Sequence, residues 1–331
     1  MMSRLLASLA VCIALAGPAL AQGPATPPLM LESTIALPGT QGRIDHLDID
    51  LARKRLFVAE LGNGSIDVVD LASRKVIHRI SGLDEPQGVA YVPKSDRLLV
   101  ACGGDGTVRI FSGTDFSPRG TIDLGGDADN VRLDARNGDV VIGYGSGGLA
   151  VIDPAKAVKR ADVPLPAHPE GFALDAPGGR AYVNIPDAHE IDVVDFASGK
   201  LVAAWTPPRL SSNFPIVLDD SGHVAAAFRA QAKIAFFDAA SGRMLAASET
   251  CGDADDISFD AKRKRFYVSC GAGAVDVLRW TGHDFQRIGR ISTSWGARTS
   301  LFVPELDRLF VAARDGLFGS DASIRVYRPS A

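Results

Sequence analysis

The chain has 331 residues, a formal net charge of −4 and a hydrophobic fraction of 46%. Its length alone would suggest about two domains. The mildly acidic balance argues against non-specific binding to nucleic acid or to anionic lipid, both of which need clustered Lys and Arg. We therefore expect no nucleic-acid partner, and partners of cationic or neutral character remain open.

The first 21 residues have the features of a secretory signal peptide. Arg4 supplies the positive charge, residues 5–16 form the apolar core, and residues 19–21 (Ala-Leu-Ala) form a cleavage site. A lipoprotein anchor at Cys12 is disfavoured, because cleavage there would halve the apolar core. This run is too short to span a bilayer and no later stretch qualifies. We predict cleavage after Ala21 and a periplasmic or secreted protein without a membrane span.

The segment after the cleavage site contains the first predicted strand. Residues 22–30 are expected to form a flexible N-terminus. Residues 32–37 have the character of an outer strand and precede the first complete repeat. The last repeat ends one strand short, so we expect residues 32–37 to pair with it and remove an open sheet edge.

One short strand then recurs seven times at intervals of 41 to 43 residues. The copies are RLFVAEL from Arg55, RLLVACG from Arg97, DVVIGYG from Asp139, RAYVNIP from Arg180, HVAAAFR from His223, RFYVSCG from Arg265 and RLFVAAR from Arg308. A short inner strand precedes each copy, and an alternating strand and a weaker outer strand follow it. This period in β-rich segments predicts an all-β, seven-bladed β-propeller of four-stranded antiparallel blades, forming one domain over residues 31–331.

The repeats resemble a known bacterial family. The text of residues 58–73, VAELGNGSIDVVDLAS, followed by GLDEPQG at residues 82–88, is similar to the YVTN-type (YncE-like) seven-bladed propellers. The resemblance covers all seven repeats and implies the propeller fold. It implies little about activity, because that family includes binding and surface proteins as well as suspected enzymes. The chain departs from the family in its connections between blades, because each connection carries a different short polar segment.

We expect these polar segments at one mouth of the central channel. Two residues before the first apolar residue of each inner strand lies a position that we call the mouth slot. It holds Asp45, Gln87, Asp129, Glu170, Phe214, Asp255 and Arg298. Neighbouring positions add His46, Asn130, His168, Asn213 and Asp256, and strand ends on the same face add Glu60, Tyr144, Asn184 and Arg229. We expect a ligand site formed by Asp45, His46, Gln87, Asp129, Asn130, His168, Glu170, Asn213, Arg229, Asp255, Asp256 and Arg298.

Four carboxylates in a narrow mouth repel one another and need a counter-charge, protonation or water. Arg298 and Arg229 supply part of the counter-charge. A calcium-type divalent cation at Asp129, Glu170 and Asp255 is the cofactor that such oxygen ligands would suit. For each single residue, a structural role in binding backbone amides is the competing interpretation.

Three cysteines follow the signal peptide. Cys251 and Cys270 are expected at the same edge of one blade, where a disulfide and two separate small apolar side chains are equally compatible with the sequence. Cys102 is the third.

Two functions remain open at the same mouth. The first is an exported binding protein that binds a small molecule or a periplasmic protein and is expected to be a monomer. The alternative is a metal-assisted hydrolase, lactonase or lyase with His46, His168 and Glu170 as catalytic candidates. By analogy with gluconolactonase-type propellers, Glu170, Asn130 or Asn213, and Asp255 would hold its metal.

Overall fold

The computed structural model describes residues 26–316 and 321–331. The predicted signal peptide lies outside the described residues. The first strand, β1, spans Leu29–Ala36 and therefore begins two residues before the predicted domain boundary. Leu29 is 2% exposed, so the end of the segment predicted to be flexible is part of the folded ring.

The described chain forms 28 strands and two short 3-10 helices, Leu61–Asn63 and Pro186–Ala188. The first blade contains β2 (Leu47–Asp50), β3 (Arg55–Glu60), β4 (Ser65–Asp70) and β5 (Lys75–Ser81). The second contains β6 (Pro86–Val92), β7 (Arg97–Cys102), β8 (Thr107–Ser112) and β9 (Pro118–Asp123). The third contains β10 (Ala128–Leu133), β11 (Val140–Tyr144), β12 (Gly148–Asp153) and β13 (Val158–Pro164).

The remaining blades repeat this order. The fourth contains β14 (Phe172–Asp175), β15 (Arg180–Ile185), β16 (Glu190–Asp195) and β17 (Lys200–Trp205). The fifth contains β18 (Asn213–Leu218), β19 (His223–Phe228), β20 (Lys233–Asp238) and β21 (Met244–Glu249). The sixth contains β22 (Ala254–Asp260), β23 (Arg265–Cys270), β24 (Ala274–Trp280) and β25 (Phe285–Ser292), and the seventh contains β26 (Ser300–Val303), β27 (Arg308–Ala313) and β28 (Ser323–Pro329).

The seventh blade is completed by β1. It pairs antiparallel with β28, so the sheet order is β1-β28-β27-β26. All seven sheets have four antiparallel strands, and the predicted seven-bladed propeller and its N-terminal closure are confirmed. In the described residues, no helix has the length and apolar character needed to cross a bilayer.

The core lies between neighbouring blades, because each second strand is buried on both faces. In β3, every residue from Leu56 to Glu60 is buried. Polar contacts also join the blades: Arg53 of the first blade contacts its own Asp50 at 2.9 Å and Asp96 of the second blade at 3.0 Å. The inner strands are thereby held around one axis, where their first residues converge.

A disulfide joins Cys251 and Cys270 in the sixth blade, whereas Cys102 is a buried free cysteine. The bridge connects the entry to the inner strand β22 with the end of β23, at the edge where the mouth residues lie.

Candidate functional site

The mouth of the channel is a charged constriction. A cavity of about 30 Å³ is lined by side chains from five blades, and this volume is enough for about one or two water molecules. Eight residues of the predicted ligand set or the mouth slot line it: Asp45, His46, Asp129, Asn130, Glu170, Phe214, Asp255 and Asp256. These eight residues, which the repeat pattern places at equivalent or neighbouring positions, therefore lie together in the structure.

Local backbone geometry directs several of these side chains toward the axis. The pairing of the inner strand with its neighbour is interrupted by a bulge in the second, third, fifth and sixth blades. The interruptions fall at the mouth slot, for example between Ala128 and Val131 and between Ala254 and Asp256. A bulged residue leaves the ladder and its side chain is re-aimed, which is how Asp129 and Asp255 reach the constriction.

Asp45 and His46 form the first charged group of the constriction. The Asp45 side chain is 1% exposed and its Oδ2 lies 2.7 Å from Nη2 of Arg43. Nδ1 of His46 lies 3.6 Å from Oδ2 of Asp256, and Nε2 lies 3.8 Å from Oδ1 of Asp45. Burial raises the pKa of Asp45, an effect that His46 and Arg43 oppose.

The same neighbours decide the charge of His46. Burial alone would lower the pKa of His46, but Asp256, Asp45 and Asp129 raise it to about 10. His46 is therefore an imidazolium at neutral pH. A general base must be neutral before it takes a proton, so this arrangement favours a charge-pairing role for His46, and its place among the catalytic candidates stays a prediction.

Asp255 lies between two guanidinium groups. Arg229 donates a hydrogen bond from Nη2 to its Oδ1, and Nε of Arg298 lies 2.8 Å from its Oδ2. The guanidinium of Arg229 also stacks over Phe214, 3.5 Å from the ring centroid. Asp253, at the outer edge, contacts both arginines. The counter-charge expected from Arg229 and Arg298 is therefore present and is directed at Asp255.

Asp129 and Glu170 differ from the other mouth carboxylates. Among the described residues, no Lys, Arg or His nitrogen lies within 4.0 Å of either carboxylate, whereas Asp45, Asp255 and Asp256 each have such a partner. Asp129 accepts a hydrogen bond from Nδ2 of Asn130 at 3.2 Å. Burial, reinforced by Asp45 for Asp129 and by Asp255 for Glu170, raises the pKa of both carboxyls to about 7.

Five residues of the predicted ligand set do not line the constriction: Arg229 and Arg298, which hold Asp255, and Gln87, His168 and Asn213. Gln87 donates a hydrogen bond to Asp127 at 2.9 Å, at the exposed rim. Nδ1 of His168 lies 2.6 Å from the Gly145 carbonyl oxygen, and its Nε2 lies 3.7 Å from Asp127.

Asn213 instead has a structural position. It is buried and donates to Oδ1 of Asn184 at 2.9 Å and to the Glu190 carbonyl at 2.8 Å, which joins the fourth and fifth blades. Its Nδ2 is thus used between blades, whereas its Oδ1 is buried with no hydrogen-bond partner among the described residues. The predicted place of Asn213 in the ligand set and in the lactonase-like metal set stays a prediction.

Two arginines of the constriction were not in the predicted set. Arg43 pairs with Asp45 at the outer side, and Arg132 lines both this cavity and the wider channel behind it. Arg43 belongs to the first of the polar segments, the one that precedes β2. Arg132 was missed because it lies inside an inner strand, at a position that most other repeats fill with an apolar residue.

The donor set does not fit the predicted calcium-type site. Of the three candidates, Asp255 is already held by two guanidinium groups, which leaves only Asp129 and Glu170 as carboxylates. Within the described residues, no group of three or more His, Cys, Asp or Glu side chains has an arrangement that could hold a metal ion. A hard cation prefers six or more oxygen ligands, so these two carboxylates do not make a site of that kind.

Fold and mouth together define the class of the protein: a closed seven-bladed β-propeller with a charged constriction at one end of its channel. No family model matches the chain, and no curated protein matches it by sequence. A chain in the crystal structure of a mitotic checkpoint complex is similar, with a TM-score of 0.76, 15% identity and 99% coverage of both chains. At that identity the similarity shows the fold alone.

Proposed function

We propose that the chain is an exported binding protein of the YVTN-type propeller family, which holds a positively charged group of a small ligand or a partner protein at the mouth. The observation that carries this proposal is the pair Asp129 and Glu170. These two carboxylates from adjacent blades face one cavity without a cation partner among the described residues.

The size of the cavity limits what can enter. About 30 Å³ admits an ammonium group or a water molecule but no larger organic body, so the rest of the ligand must lie on the outer rim. The rim offers the exposed carboxylate of Asp127, and Trp295, which is 73% exposed, lies three residues before Arg298. An aromatic face and carboxylates are both favourable surroundings for a cationic group.

Export is supported by the predicted signal peptide and by the Cys251–Cys270 disulfide, because disulfides persist mainly in oxidising compartments. Membership of the YVTN-type family is supported by the text of residues 58–73 together with the seven-bladed fold.

The test uses Nα-acetyl-lysine amide and Nα-acetyl-norleucine amide, which has the same side-chain carbon atoms but lacks the ammonium group. Calorimetric titration of residues 22–331 should show binding of the charged probe and none of the neutral one. In the double variant Asp129→Asn, Glu170→Gln the affinity should fall by about tenfold or more, because a charge-assisted contact is lost. Equal binding of both probes, or unchanged affinity in the double variant, would contradict the proposal.

A catalytic alternative is favoured by one observation, the pKa of about 7 at both Asp129 and Glu170. Carboxyls with such values can give and take protons near neutral pH. This alternative retains hydrolase, lactonase or lyase chemistry but not the calcium-type site, since the donor set does not fit it. Turnover of lactone or ester substrates that disappears in Glu170→Gln would favour it over simple binding.

A further inference from the structure

Behind the constriction the channel widens into a second cavity. Its volume is about 430 Å³, within the range of about 300–1,000 Å³ typical of small-molecule sites. This cavity is independent of the site proposed above, because the constriction leaves only about 30 Å³ between them. A molecule of organic size therefore reaches it from the other end of the channel.

Equivalent positions of the seven inner strands form a ring around this cavity. We define the channel ring as the residues three positions after each mouth slot, all of which line the cavity. Four of its members are apolar: Ala90, Ala173, Val217 and Leu301. The other three are one carboxylate, one guanidinium and one hydroxyl: Asp48, Arg132 and Ser258.

Arg132 retains unused donors in this ring. Its Nη1 donates to the Val131 carbonyl at 2.9 Å and its Nη2 to Oδ1 of Asn130 at 3.2 Å. Within residues 26–316 and 321–331, no carboxylate oxygen lies within 4.0 Å of its guanidinium. A guanidinium has five N–H donors in a planar fork that suits a carboxylate, so three donors remain for a ligand.

The residues beside Arg132 leave room for such a ligand. Its neighbours in the ring, Ala90 and Ala173, are small. The ring of Phe172 lies 5.5 Å from the guanidinium and supports its orientation. Burial lowers the pKa of Arg132, and Asp256, Asp129 and Asp48 oppose this effect only in part, so a bound anion would add to their compensation.

Asp48 is the matching carboxylate. Its Oδ2 accepts a hydrogen bond from the Tyr91 amide at 2.6 Å, and in the described residues no cationic nitrogen lies within 4.0 Å of it. Asp48 belongs to the first blade and Arg132 to the third. The two charges therefore face the same cavity from separate strands without forming a pair.

This separation selects the charge type of the ligand. The other channel charges are paired, since His46 contacts Asp256. A simple anion would leave the Asp48 carboxylate unpaired, and a simple amine would leave Arg132 unpaired, which is unfavourable in a confined cavity. A molecule with one carboxylate and one ammonium group satisfies both, and the four apolar ring residues suit an apolar body.

We propose that the channel is a binding site for a small zwitterion with an apolar body, of the apolar α-amino acid or dipeptide class. The carboxylate binds Arg132 and the ammonium group binds Asp48. The apolar body lies against Ala173, Val217 and Leu301.

Calorimetric titration of residues 22–331 tests this site with L-leucine, L-phenylalanine and L-leucyl-L-leucine. At least one should bind saturably, with a Kd below about 1 mM. For the best binder, the analogue without the amino group and the analogue without the carboxylate should each bind at least about tenfold more weakly. No saturable binding by any of the three, or equal binding of either analogue, would overturn the proposal.

Two charge-removing variants assign the contacts. Asp48→Asn keeps an oxygen acceptor for the Tyr91 amide. It should lower the affinity for the zwitterion by at least about tenfold and leave the affinity for the analogue without the amino group unchanged. Arg132→Gln should do the converse, weakening the zwitterion but not the analogue without the carboxylate. The control is Arg119→Gln, on the outer surface of the second blade, which should bind as the wild type does.

A variant that unfolds would be recognised by its thermal melt, and Ala173→Leu then provides the second measurement. It adds apolar volume beside Arg132 and should abolish binding with both charges in place. Zwitterion binding that survives Ala173→Leu and both charge-removing variants would overturn the site. Retained zwitterion binding in Asp129→Asn, Glu170→Gln keeps this result separate from any failure at the mouth.

Discussion

At the scale of single residues, one aspartate position of the third strand has an arginine partner in two blades, whereas Asp192 of the fourth blade has none among the described residues. The third strands of the first and sixth blades carry Asp67 and Asp276 at this position, and each lies 2.7 Å or less from a cross-strand arginine. Asp192 faces Ala204 across the strand pair instead. Both of its oxygens are buried, with no hydrogen-bond partner among the described residues.

This environment predicts that Asp192 lowers the free energy of unfolding in a pH-dependent way. Burial, with a contribution from Glu190, raises the pKa of Asp192 to about 7. A carboxyl whose pKa is higher in the folded state than in the unfolded state favours folding when it is protonated, so its contribution is lost as pH rises from about 4 to about 7. Asp192→Val should therefore raise the free energy of unfolding by about 2 kcal/mol at pH 8 and by less at pH 5.

The matched control for this prediction is Asp276→Val. Asp276 is bound by Arg290, so its removal leaves a guanidinium without its partner and should destabilise the protein by about 1–2 kcal/mol. Urea denaturation at pH 5 and pH 8 checks both variants. Destabilisation by Asp192→Val at pH 8, equal to that of Asp276→Val, would contradict this account of Asp192.

At the scale of elements, β1 closes the ring. It covers the edge of β28, buries Leu29 and Ile35 at 2% exposure each, and places Oε2 of Glu32 2.6 Å from Nε of Arg308. Without this strand, β28 would present unpaired amide and carbonyl groups along its full edge. Such an edge is a template for pairing with other chains.

Deleting residues 29–36 should therefore cause self-association. We expect high-mass species in size-exclusion chromatography with light scattering, and a lower melting temperature. The control is a chain that begins at Pro28, whose carbonyl oxygen accepts a hydrogen bond from the Ser330 amide at 3.0 Å. A monodisperse deletion variant with the melting temperature of this control would show that β1 does not close the ring.

Strand positions could be predicted from the sequence to within about two residues, because apolar periodicity reports burial directly. The largest differences fall at the starts of inner strands. The polar residues before the apolar ones were expected to belong to the connections between blades, but β22 begins at Ala254, since a bulge adds pairing before the apolar residues start. A bulge changes backbone pairing without changing the hydrophobic pattern, so it has no signal of this kind.

At the scale of the whole molecule, the seven repeats fixed the architecture because one repeat length corresponds to one blade. The partners of the mouth residues depend on how blades meet around the axis. Asp255 of the sixth blade is held by Arg229 of the fifth and Arg298 of the seventh, and Asn213 is used by Asn184 of the preceding blade. The sequence placed these residues at the same end of the ring but contained no signal for which of them were already paired.

The central claim is that the mouth holds a cationic organic group at Asp129 and Glu170. Native mass spectrometry of the protein recovered from the cell envelope, compared with its denatured mass, tests this most directly. The account predicts an organic amine or a partner protein that is lost on denaturation and absent from Asp129→Asn, Glu170→Gln. A divalent metal ion bound in the wild type and absent from Asp255→Asn would contradict it.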